Sequence, residues 1–225
     1  MTSVRTGAFH RSYEEYCEAI FEMNEDELDV IQARIAERLQ VSRPSVSEMI
    51  RRLETEGLVD IGAYITLTTK GRSLAESVVR RHRLAERFLT DVLDLSWSDA
   101  HVEAGKWEHV ISPVVEAAMT RMLGGPTTCP HGNPIPGSDY RAENTQQLNS
   151  VTVGREFTVT RIPEELEFAV GMLDYLESVE VLPGRMGIVK SAELRGDMHV
   201  EMNGRDVQID AFTSERLLVT VAVAD

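Results

Sequence analysis

Apolar residues in the first third of the chain recur with the period of helices buried on one side. Tyr16, Ala19, Ile20 and Met23 share a face of a helix expected over residues 13–24. Ser12 stands where its cap would fall, and Glu14 and Glu15 lie in the first turn, where carboxylates favour the helix dipole. Ile31, Ile35 and Leu39 mark a second helix over residues 31–39. A third follows within residues 40–53, capped by Ser42, with Pro44 at its start, where a missing N–H does no harm, and with Val46, Ile50 and Leu53 inward. Two short alternating runs between Gly57 and Thr68, turning at Gly62 and Ala63, read as a small β wing before helical character returns near residue 69.

One long helix is expected over residues 71–93, with Leu74, Val78, Val79, Leu84, Phe88, Leu89 and Val92 as its apolar positions. Shorter helices follow over residues 98–110 and 112–123, the latter opened by Ser112 and Pro113 and closed by Gly124 and Gly125. Trp107, Val110, Ile111, Val115 and Met122 exceed what one small domain needs, which suggests a self-association surface and a symmetric dimer. Residues 138–154 are polar and aperiodic, a linker. Beyond it, strands are expected over residues 155–162, 187–190, 199–202, 207–209 and 217–223, with a helix over 166–176 and a hairpin turn at Asn203-Gly204. His199 reads as a strand residue. The expected fold is mainly α with α+β parts: a winged helix-turn-helix (1–73), a helical domain (74–137), the linker, and a small β-barrel (155–225).

The 225 residues, 42% hydrophobic and 27% charged, suit an ordinary globular protein of two domains. No run approaches the about 18 apolar residues of a membrane span, and no export signal is read at the N-terminus. Cys17 and Cys129 read as unpaired thiols of a reducing compartment, hence the cytoplasm. A net charge of −14 argues against coating nucleic acid through bulk positive charge. DNA contact must come from a local patch. The outer face of the third helix offers one, with Ser42, Arg43, Pro44, Ser45, Ser47, Glu48, Arg51 and Arg52 supplying hydroxyls and guanidiniums for phosphates and base edges. Helix-turn-helix plus wing favours DNA binding over a generic helical protein-binding module.

Candidate chemistry concentrates further on. In the stretch 101–109, His-Val-Glu-Ala-Gly-Lys-Trp-Glu-His, helical spacing sets His101, Gly105, Glu108 and His109 on one flank. His82 and Glu86, at i and i+4, repeat the pairing of imidazole with carboxylate. Such pairs can be solvated helix-stabilising contacts, but two together behind a DNA-binding signature point to a divalent transition metal.

The segments Ala-Arg-Ile-Ala-Glu-Arg-Leu (33–39), Arg-His-Arg-Leu-Ala-Glu (81–86), Trp-Glu-His (107–109) and Gly-Asn-Pro-Ile-Pro-Gly (132–137) resemble the diphtheria toxin repressor family of iron- and manganese-dependent regulators. The resemblance covers residues 13–137 strongly and the rest weakly. It implies a homodimeric repressor of metal uptake and homeostasis genes that binds a palindromic double-stranded operator when Mn(II) or Fe(II) fills two sites per subunit, and an SH3-like (FeoA-like) C-terminal domain. It implies an ancillary site of His82, Glu86 and His101, completed by an i, i+3 pair for which Glu164 and Glu167 have the spacing, although a solvated acidic turn is the other reading. The implied primary site uses Glu108 and His109 with Glu15, and Glu18 as a helper. Iron regulators of the family place a methionine where Glu15 stands, so a carboxylate there favours the harder Mn(II).

Two departures follow, at Gly105 and at Glu48. Gly105 stands where the family has a cysteine or glutamate ligand and offers only a backbone carbonyl. Cys129, in Thr-Thr-Cys-Pro-His-Gly (127–132), is either its replacement, as in some manganese-responsive relatives, or a plain loop thiol, and His131 beside it is the weaker candidate. Glu48 replaces a glutamine, so it either accepts from cytosine N4 or points to solvent. The rival readings are a winged-helix sensor of a small organic ligand and a metallohydrolase; no catalytic constellation stands out, so no enzyme, small-molecule substrate or membrane partner is expected.

Overall fold

The computed structural model describes residues 11–193 and 195–222 and divides into two compact units, residues 1–81 and 82–225. The first unit holds helices α1 (Arg11–Glu25), α2 (Gln32–Arg38) and α3 (Arg43–Thr55), strands β1 (Val59–Ile61) and β2 (Ile65–Leu67), and the start of α4 (Thr69–Asp91). Tyr16, Ile20, Ile35, Val46, Ile50, Leu53, Leu58 and Val79 form one buried cluster, the inward faces that the periodicity marks. Ser42 caps α3 by accepting from the Ser45 N–H, and β1 pairs antiparallel with β2. The wing closes on α4 at Gly71, where a Cβ would lie 1.9 Å from the Leu58 carbonyl oxygen. Ser12 is no cap: α1 already includes it.

In the second unit the end of α4 packs with α5 (Trp97–Trp107) and α6 (Pro113–Met122) around Leu84, Leu89, Ala100, Ala104, Met119 and Ile135. Then come β3 (Gln146–Gln147), a 3-10 turn (Leu148–Ser150), β4 (Glu156–Arg161), α7 (Glu164–Glu167), α8 (Met172–Ser178), β5 (Met186–Ala192), β6 (Met198–Met202), β7 (Arg205–Ile209), α9 (Ala211–Ser214) and β8 (Leu218–Thr220). The strands form an antiparallel sheet in the order β3-β8-β4-β5-β6-β7, bent by irregularities in β4 and β5. Among the described residues its pairings leave β3 and β7 as edges.

Three expectations change. Residues 138–154 are not all linker, because β3 pairs with β8 and Leu148 is fully buried in the β-domain core. The helix expected over 166–176 is two, parted at Gly171, whose φ of 74° begins α8 in the left-handed region. Trp107 and Ile111 pack on the helical core, so the outward apolar face consists of Val110, Val114, Val115 and Met122, joined by Val102. The hairpin turn stands: Asn203 and Gly204 both have positive φ between β6 and β7. Val223 lies outside the described residues.

Candidate metal centre

The i, i+4 spacing on α4 sets His82 and Glu86 side by side, Nε2 to Oε1 3.1 Å. Helix α5 brings His101 to the same carboxylate, its Nδ1 3.0 Å from Glu86 Oε1 and 3.3 Å from Glu167 Oε2 on α7. The loop before Gly132 adds two more donors. His131 Nδ1 lies 2.8 Å from Glu167 Oε2 and 3.7 Å from Glu86 Oε1, and Cys129 offers its sulfur within 4.8 Å of ligand atoms of Glu86 and His131. Glu86, Cys129, His131 and Glu167 are buried, and so is His82; only His101 keeps some exposure.

Three imidazoles, a thiol and two carboxylates thus converge inside the protein. Both ring nitrogens of His131 and Oε2 of Glu167 are buried without a well-aligned hydrogen bond, although opposite charges stand close. Buried polar atoms in that condition require an explanation, and a shared cation supplies one. The donor set fits a divalent transition metal: six groups with lone pairs, two of them anionic.

The electrostatics describe the same centre holding protons. Burial alone would push His82 and His101 down, but Glu86 and Glu108 hold His82 well above 6.5, and Glu167 and Glu86 raise His101 to about 10. Burial likewise opposes the charge on Glu167, yet His131 and His101 keep it at about 2. Glu86 is held well below 4.5 against its burial by His131, His82 and His101. Burial, then the charges of Glu86 and Glu167, drive the Cys129 thiol well above 9. A metal would replace these protons as the common partner of the carboxylates.

The second expected set has begun to assemble on α5 and the residues after it. Glu108 is buried, its Oε1 3.0 Å from His109 Nε2 and its Oε2 2.5 Å from His82 Nδ1. Burial would raise its pKa, but His109 and His82 lower it to about 2. His82 therefore faces Glu86 with one nitrogen and Glu108 with the other. Gly105 is half-buried, and a Cβ there would meet nothing within 4 Å. On α1, Glu15 lies on the outer side in an ion pair with Arg11 at 2.9 Å, whereas Glu18 is buried.

The expected Glu164 and Glu167 pair is split. Glu167 joins the cluster, while Glu164 is turned to Arg83, a fully buried arginine whose Nη2 lies 2.8 Å away. The Cys129 sulfur lies beside Glu86 and His131, in the group expected to be ancillary. His131 is the residue that periodicity misses, and its one signal is its place two residues after Cys129. Arg43, Ser45, Glu48, Arg51 and Arg52 are exposed along α3 with Ser42 and Pro44, and Ser47 is half-buried. Glu48 pairs closely with Arg52 one turn on, so its carboxylate is engaged along the helix surface.

Two family models match in succession: the iron dependent repressor N-terminal DNA binding domain over residues 8–67, and the metal binding and dimerisation domain over residues 68–137. The chain belongs to the iron-dependent repressor family. The iron-dependent repressor IdeR of Mycobacterium leprae is 37% identical over 192 residues, covering 80% of this chain and 84% of its own. The diphtheria toxin repressor of Corynebacterium diphtheriae is 34% identical over 207 residues, covering 87% and 91%. Among solved structures, a manganese-dependent transcriptional repressor in complex with manganese superposes with a TM-score of 0.84 at 32% identity, over 93% of this chain and all of that one. The relatives are thus repressors named for iron in some cases and for manganese in others.

Proposed function

We propose that this chain is a metal-dependent transcriptional repressor of metal uptake and homeostasis genes, homodimeric, cytoplasmic, and activated by Mn(II). The observation that carries the reading is the buried convergence of Glu86, His101, Cys129, His131 and Glu167 in a chain whose first unit is a winged helix. His82, Glu86, His101, Cys129, His131 and Glu167 would hold one ion; Glu108 and His109 would contribute to a second. When bound, the metal supplies a charge that gathers side chains from separate elements. Bonds made only in the DNA-competent arrangement shift the population toward it. The domains expected from sequence are retained as working units, with the start of the β domain moved back to include β3.

Manganese is favoured by the sequence resemblance, since a carboxylate stands at position 15 where the iron regulators carry a methionine. Iron is the second reading, favoured by the Cys129 sulfur, since thiolates suit softer ions. Cobalt(II) titration followed in the near ultraviolet tests the donor set. A thiolate-to-metal charge-transfer band is expected in the native chain and absent in Cys129→Ser; no band in the native chain would remove Cys129 from the set. Growth of binding with Mn(II) against Fe(II) under anaerobic conditions then ranks the metals, and a ranking with Fe(II) first would favour the second reading.

A further inference from the structure

Glu167 reaches the cluster from a four-residue helix, an element too short to hold a side chain by itself. Its support comes from Asn133. The Asn133 amide is fully buried, and its Nδ2 donates to Glu167 Oε1 at 2.5 Å and to the Ile162 carbonyl at 2.9 Å. Its Oδ1 accepts from Arg161 Nε in a close contact. Turning the amide over would set oxygen against a carboxylate and a carbonyl, and nitrogen against a guanidinium. Arg161 therefore fixes which end of Asn133 faces Glu167.

The same strand end holds the loop that carries the other two donors. The Ile162 N–H donates to the His131 carbonyl at 2.8 Å, and the Cys129 N–H to that of Asn133 at 2.9 Å. Gly132 lies so close to β4 that a Cβ would stand 2.2 Å from the Thr160 carbonyl oxygen. The tip of β4 and the loop 129–133 thus form one hydrogen-bonded frame. That frame presents His131, Cys129 and, through the Asn133 amide, Glu167.

We propose that Asn133, oriented by Arg161, is a positioning residue for the metal centre: it holds one oxygen of Glu167 so that the other faces His131 and His101. The proposal rests on the reading of the cluster as a metal site. With Oε1 fixed by the amide, Oε2 is the oxygen left for an ion, and it is the atom that lacks an aligned hydrogen bond. Partners of this kind orient ligands, and their loss commonly lowers metal affinity by about 10- to 100-fold.

The test is a double-mutant cycle on the full chain, titrated calorimetrically with Mn(II) and with Co(II). Asn133→Ala and Glu167→Gln should each weaken binding by about tenfold or more. The double variant should bind no more weakly than Glu167→Gln alone, because Asn133 acts through that carboxylate. A residue that merely stabilised the fold would give additive losses. Should Asn133→Ala fail to fold, Arg161→Gln, which leaves the amide in place, is expected to show a several-fold loss that also vanishes in the Glu167→Gln background. Unchanged affinity in the folded variant used, or an equal loss in both backgrounds, overturns the proposal. A native chain that takes up neither ion overturns the functional reading and this inference together, whereas normal uptake unaffected by position 133 or 161 overturns only this one.

Discussion

His101 and Glu167 show how single residues set the terms of metal uptake. Against their burial, His101 is raised to about 10 by Glu167 and Glu86, and Glu167 is lowered to about 2 by His131 and His101. A metal must displace the imidazole protons, so apparent Mn(II) affinity should rise with pH between 6.5 and 8.5, by about tenfold per pH unit for each proton released. Calorimetric titration at several pH values checks this, and a flat profile would show that the histidines are not ligands. Without metal the signs run the other way. The raised His101 stabilises the fold fully below about 6.5 and loses that contribution as pH climbs toward about 10, and the raised His82 and His131 act in the same direction. The lowered carboxylates contribute above about 4.5 and lose it as pH falls toward about 2. The melting temperature of the metal-free protein should therefore decline from pH 6.5 toward 10. Much of the centre is legible at this scale, since His82 and Glu86 on one helix face need only a helical period. His131 is not, because a loop has no period, and the choice between Glu164 and Glu167 depends on Arg83, 81 residues earlier in the chain.

Helices α1 to α6 follow from the apolar spacing, with α3 and α6 also marked by their serine caps. Ser42, Ser96 and Ser112 each accept from the N–H three residues on, and Ser42→Ala should cost roughly 1 kcal/mol in chemical denaturation. Two glycines separate chemistry from architecture. Gly105 sits inside α5 with open space where a Cβ would go, so Gly105→Ala should stabilise the fold by about 0.5–1 kcal/mol. Gly132, with φ of 88° and the Thr160 oxygen against it, should tolerate no side chain: Gly132→Ala is expected to lose more than about 1 kcal/mol and to weaken metal binding. Equal stability of the two alanine variants would contradict this contrast. Element β3 escapes a sequence reading because two residues carry no alternation, and its pairing with β8 depends on residues more than 70 positions away. The break between α7 and α8 likewise hangs on one left-handed glycine in a stretch otherwise helical in composition.

At the scale of the whole molecule, the outward valines of α6 and of the turn before it meet the chain's membership of a family with a dimerisation domain. Val110 and Val114 are 77% and 79% exposed, with Val115 and Met122 beside them. Apolar side chains so placed suit burial against a second copy, and Val114→Asp should shift the protein toward monomer in sedimentation analysis and weaken operator binding. No helix among the described residues is long and apolar enough to cross a membrane. With a net charge of −14, the proposed DNA contact through the local basic face of α3 should weaken steeply with salt. In the proposed function, a metal in the buried cluster switches DNA binding on. Operator titration of the native chain and of Glu86→Gln, with Mn(II) and with chelator, tests it most directly. Tight binding is expected only for the native chain with Mn(II); equal affinity with metal and with chelator would show that the cluster does not control DNA binding.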